Sequence, residues 1–210
     1  MLKERHGGLK VRTGRRWVLV AVLVAACSVR HGEPSLTAIM VRDVPFFPQE
    51  PQQCGPAALA SLMSYFGHPI WPERVAEEIY EPAAGGTPTV AMTTYAARHG
   101  LPLQAMRADL ADLRAEVDAG RPLIVLLRRG FPFHDAHFVV VNGYDGTSGT
   151  IYGYSGRDAM ACWTTDQFAR RWARADHWAL VWTGEKEHAA ATPPRPSEGD
   201  GDHAGTGKRE

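Results

Sequence analysis

Cysteine is scarce in this chain. Among 210 residues only Cys27, Cys54 and Cys162 occur, too few for a disulfide framework. Long apolar runs are missing too. Trp17–Val24 is the longest early stretch, and it is too short to span a bilayer as a helix. No Gly-x-x-x-x-Gly-Lys-Ser/Thr phosphate loop is present, which excludes a P-loop nucleotide hydrolase within this sequence. No internal repeat is visible. Net charge is absent: 23 Lys and Arg balance 23 Asp and Glu. That balance is uneven along the chain. The first 26 residues hold six basic residues and one acid, leaving 17 basic and 22 acidic residues in the remainder. A mildly acidic body does not suit a nucleic-acid partner.

The basic start, the short apolar core and the sequence Val24-Ala25-Ala26-Cys27 resemble a bacterial lipoprotein signal. The resemblance implies cleavage before Cys27, acylation of that residue and a lipid anchor in the cell envelope. Ser28 is not the Asp associated with inner-membrane retention, so the outer membrane, facing the periplasm, is expected. Residues 27–38 then read as a tether, 39–183 as one domain, and 184–210 as a disordered tail of Ala, Pro, Gly and charge.

Within the domain the first half is helical. Leu59, Leu62, Met63 and Phe66 recur at helical spacing behind Cys54, with Pro56 in the first turn and Gly67 as the stop. Pro72–Ile79, Thr89–Arg98 and Asp109–Ala119 read as three further helices. The second half is strand-like. Leu123–Leu127 and His137–Val141 are apolar runs, and Asp145-Gly146 marks a hairpin returning as Thr150–Tyr154. A late helix over Thr165–Arg174 and a final strand over Trp178–Trp182 complete an α+β pattern.

Cys54 stands at the start of a helix, where unpaired N–H groups and the helix dipole favour a thiolate. A nucleophilic thiol needs a base from elsewhere in the chain. His137 is the leading candidate, because it opens a hydrophobic strand; His134 is second. The sequence His134-Asp135-Ala136-His137 offers two potential metal ligands without a third, so neither a metal nor another cofactor is expected. Cys162 reads as a core thiol.

Three segments together resemble the peptidase C39 family and its C39-like relatives, which are papain-like cysteine peptidases. They are Val44-Pro45-Phe46-Phe47-Pro48-Gln49, then Gln53-Cys54-Gly55-Pro56-Ala57-Ala58-Leu59, then His137-Phe138-Val139-Val140-Val141-Asn142-Gly143-Tyr144-Asp145. The resemblance covers about residues 40–183. It implies Cys54 as nucleophile, His137 as base and Gln49 as oxyanion donor, with Gln52 and Gln53 as alternatives to Gln49. It also implies a peptide or protein substrate. The family usually ends the return strand with Asp-Pro, whose Asp orients the histidine; here that place holds Ser155-Gly156. Asp145 is the candidate third member, beside Ser155, Asp158 and Asn142. Three functions compete on these residues: a thiol peptidase, an amidase or acyltransferase on the same fold, and a degenerate module that binds peptides without cutting them.

Overall fold

The computed structural model describes residues 30–31, 33–130 and 135–184. Its centre is helix α1 (Cys54–Tyr65), which begins where the Gln53 carbonyl accepts from the Ala57 N–H at 3.1 Å. The sequence pattern places one apolar face on this helix. In the structure every residue from Gly55 to Tyr65 is buried. The reason is its position. It packs against helix α2 (Pro72–Ile79) and against strands β4 (Leu123–Arg128) and β5 (Ala136–Asp145). Ala57, Ala58, Ala60 and Ser61 let these neighbours approach closely. Ser61 satisfies its own hydroxyl by donating to the Ala57 carbonyl at 2.9 Å.

Helices α3 (Thr89–Arg98), α4 (Leu110–Asp118) and α5 (Thr165–Ala173) fall where the sequence places them. Asp109 and Asp112 form a reciprocal capping box at the start of α4, and Thr164 caps α5.

The sheet is antiparallel throughout. Strands β1 (Arg30–His31), β7 (Asp158–Thr164), β6 (Thr150–Ser155), β5, β4, β8 (Trp178–Trp182) and β3 (Leu103–Arg107) follow one another across it. The two-residue β2 (Ile39–Met40) pairs with the far end of β5. β1, β3 and β7 are absent from the sequence reading, which gives Arg30 and His31 to the tether. Leu103-Gln104-Ala105-Met106-Arg107 has no β-branched residue, and only tertiary pairing with β8 makes it a strand. Leu123, Ile124, Val125, Val139, Val140 and Val141 fill the middle of the sheet, all at most 1% exposed. Phe66, the residue that caps the end of α1, stacks on Trp182 of β8 with ring centroids 4.5 Å apart. Helical first half and antiparallel second half confirm the α+β class.

Candidate active site

Cys54 is the first residue of α1 and is the half-buried exception in an otherwise buried helix. It borders a cleft of ≈ 1160 Å³ that Gln49, Thr87, Leu126, His137 and Gly156 also line. One wall comes from the first half of the chain and the other from the sheet. Gly55 is required here, since a Cβ at that position would lie 2.6 Å from the Thr87 Cβ. The Thr87 hydroxyl is buried and has no hydrogen-bond partner.

His137 stands in the second position of β5, paired with Leu127 of β4. Its Nε2 lies 3.0 Å from the Ser155 hydroxyl at the end of β6. With Nε2 engaged there, Nδ1 is the nitrogen left for the cleft. Burial pushes the imidazole pKa down, partly offset by the Asp135 carboxylate. Asp135 itself is held by Arg129, whose guanidinium makes a 2.7 Å contact with it. Burial also pushes the Cys54 thiol up. Backbone N–H groups of Phe138, Gly55 and Cys54 itself pull the other way without winning. The helix start does favour the thiolate, but desolvation outweighs it. Burial thus favours the neutral thiol and the neutral imidazole over an ion pair.

Gln49 is 7% exposed, and its amide is fixed from both sides by one residue. Its backbone N–H donates to the Gly156 carbonyl at 2.9 Å. Its side-chain Oε1 accepts from the Gly156 N–H at 2.9 Å. With Oε1 so engaged, the amide NH2 is left for the cleft. Gln52 is committed elsewhere: its Oε1 accepts from the Tyr80 hydroxyl at 2.8 Å. Gln53 occupies the cap position of α1 and makes no side-chain cap bond.

Asp145 does not belong to this group, which corrects the expectation for the third member. It ends β5 eight residues beyond His137, roughly 26 Å away along an extended strand. Its carboxylate accepts from Ser35, Thr37, Ser148 and the Thr147 N–H, and this hub holds its pKa far below the usual carboxylate range. Asp145 is a turn organiser. Asn142 sits at a bulge and bonds to Tyr154, while Asp158 accepts from the Met160 N–H at 2.8 Å. Of the four candidates, Ser155 is the one that meets the His137 ring. His134 and Cys27 lie outside the described residues. Gly156 and Asp135 enter the sequence reading only as neighbours of Ser155 and His137, with no role of their own, and nothing there marks Thr87.

A cysteine at a buried helix start and a histidine on a neighbouring central strand, on opposite walls of one cleft, define a papain-like α+β fold. Residues 41–180 match the Peptidase_C39-like family, and the chain belongs to it. Among solved structures, the chain is similar to a C39-like peptidase from Bacillus anthracis at 17% identity and a TM-score of 0.59, over 71% of this chain and 99% of that one. It is also similar to the peptidase domain of Streptococcus ComA, a bifunctional ABC transporter of a quorum-sensing pathway, at 20% identity and a TM-score of 0.52, over 66% and 98% of the two chains. A double glycine motif protease from an AMS/PCAT transporter, solved with its leader peptide, shares 21% identity and a TM-score of 0.50, over 67% and 91%. No curated protein sequence matches the chain.

Proposed function

We propose that this chain is a cysteine peptidase in which Cys54 attacks the carbonyl carbon of a peptide bond. The observation that carries the reading is the convergence of Cys54, His137 and Gln49 on one cleft, with Ser155 against the imidazole. His137 Nδ1 takes the thiol proton as the sulfur attacks. The depressed imidazole and raised thiol make this transfer part of the reaction rather than a resting condition. The carbonyl oxygen, now negative, is held by the Gln49 amide N–H and the Cys54 backbone N–H at the start of α1. The imidazolium then protonates the leaving amine, and water releases the acyl group by the same route in reverse. Ser155 accepts from Nε2–H and fixes the ring's orientation.

The substrate is a peptide or protein segment lying across the cleft. The likeness to the double glycine motif protease, which was solved with a leader peptide, supports that class. The signal-like start supports a lipid anchor at Cys27 and a place in the envelope, facing the periplasm. Radiolabelled palmitate incorporated by the full chain and lost in Cys27→Ala tests the anchor. The peptidase reading is tested by incubating the full chain with a peptide mixture and mapping cleavage by mass spectrometry. Cleavage that disappears in both Cys54→Ala and His137→Ala is expected. A second reading, a module that binds peptides without cutting them, draws on Ser155 in place of a carboxylate and on the raised thiol. Binding of those peptides without cleavage supports it against the first.

A further inference from the structure

A second cavity of ≈ 200 Å³ borders His137, and Cys54 does not line it. Leu127 and Val139 give it an apolar floor, and His137, Ser155, Trp163, Arg128, Arg129, Arg171 and Asp135 complete its wall. The wall thus includes three arginines and one aspartate, and Arg129 holds the Asp135 carboxylate. Trp163 is 2% exposed, and its indole N–H is buried without a hydrogen-bond partner. A buried donor left unpaired costs about 1–3 kcal/mol and usually marks a missing water or ion. Ser155 makes one side-chain hydrogen bond, to the imidazole. When Nε2–H donates into that bond, the serine hydroxyl hydrogen is left to donate onward. The cavity wall therefore combines donors and positive charge beside an imidazole that must carry a proton during turnover.

We infer that this cavity binds a small monovalent anion, a carboxylate of formate or acetate size or a halide, which lends the His137–Ser155 pair the negative charge that the chain's own sequence lacks there. The anion accepts from the Trp163 indole N–H and the Ser155 hydroxyl and is balanced by the guanidinium groups. It stabilises the imidazolium as an aspartate at position 155 would. The role in turnover rests on the Cys–His reading above; the binding does not.

The experiment uses the full chain with 15N-labelled tryptophan, titrated with sodium formate or with sodium chloride. Ionic strength is kept constant by a bulky sulfonate salt. The Trp163 indole resonance, identified by its loss in Trp163→Phe, reports binding. The rate of Cys54 alkylation by iodoacetamide, followed on the Cys54 peptide, reports coupling. A saturable indole shift is expected, with alkylation rising about tenfold at the same midpoint, the change that one pKa unit in the pair represents. Trp163→Phe should flatten the alkylation response. Ser155→Asp should alkylate fast whether or not anion is present. A response to formate alone assigns a carboxylate, and an equal response to chloride assigns any small anion. An indole resonance insensitive to both salts overturns the inference, because the cavity then holds only water. A shift without any change in alkylation overturns the coupling. If alkylation proves independent of His137 in a His137→Ala control, the Cys–His reading fails, and the indole titration still decides the anion site.

Discussion

Replacing Gly156 with proline would restore the residue usual in the family at this place, and in this chain it should damage the site. Gly156 sits at φ +66, while proline is confined near −65, so the turn would have to rotate by about 130°. Proline also lacks the N–H that holds Gln49 Oε1. Such a bond contributes roughly 0.5–1.5 kcal/mol net, and its loss leaves the Gln49 amide free to turn away from the developing oxyanion. The upper bound is the loss of one oxyanion donor, on the order of 10²–10³ in rate. Two assays separate this from general damage. Alkylation by iodoacetamide is a displacement at carbon with no carbonyl oxyanion, so it reports only the thiol and its base. Acylation by an activated p-nitrophenyl ester passes through the oxyanion. Gly156→Pro should keep the alkylation rate within about threefold while acylation falls by about 10–10²-fold, and Gln49→Ala should set the lower limit. Gly156→Ala keeps the N–H and should acylate normally, though the left-handed backbone costs it roughly 1–2 kcal/mol of stability. If Gly156→Pro is folded by its melting curve and both rates are unchanged, Gln49 is not held for catalysis by this turn.

Other outcomes follow from the same geometry. Because burial raises the Cys54 thiol and lowers the His137 imidazole, alkylation should keep climbing with pH through and beyond ~8.5; a plateau reached already near pH 6 would show a preformed ion pair and contradict this. The same depressed imidazole binds its proton less tightly in the folded chain than in the unfolded one. Its share of stability is therefore present above pH ~6.5 and lost as pH falls through the lower folded value, and His137→Gln should flatten that part of a melting-temperature profile. Ser155→Ala removes the contact that orients the ring and should slow both alkylation and acylation about tenfold; equal rates in the two forms would deny Ser155 that role. Asp145→Asn should lower Tm while leaving Cys54 alkylation untouched, whereas a loss of alkylation in a fully folded protein would return Asp145 to the site. Trp172→Ala, fully buried where α5 covers the sheet, should cost about 3–5 kcal/mol in urea unfolding.

The elements that were legible in the sequence are those whose signal is local. Pro72 and Asp109 mark helix starts through chemistry that acts within one turn, and α2 and α4 begin there. Leu123–Leu127 announces a buried strand by composition alone. β3 and β7 do not, because their residues become strands only when β8 and β6 offer an edge. The candidate site divides the same way. Cys54, His137 and Gln49 each stand in a recognisable run. The partner of His137 was not settled there, because Asn142, Asp145 and Ser155 lie 5, 8 and 18 positions beyond it and only the β5–β6 register decides which meets the ring. The protonation of the pair is legible only in part for a related reason. A helix start is visible in sequence, whereas the burial that outweighs it arises only when the chain folds around Cys54.

The two hydrogen bonds between Gln49 and Gly156 span 107 positions, and the Glu50–Arg157 ion pair spans the same distance alongside them. These contacts are a clasp across a seam, with the thiol and the amide on one side and the imidazole on the other. A ribosome delivers the first side well before the second. Until β5 and β6 are in place, Cys54 is an ordinary side chain on an unsupported helix, with no base and no fixed oxyanion donor. On the proposed mechanism the reactive centre thus comes into being at the last stage of assembly, and a chain truncated before residue 156 would carry Cys54 without the reaction. The same seam makes the site the first casualty of any opening between the two halves, so loss of activity should precede loss of helix on heating.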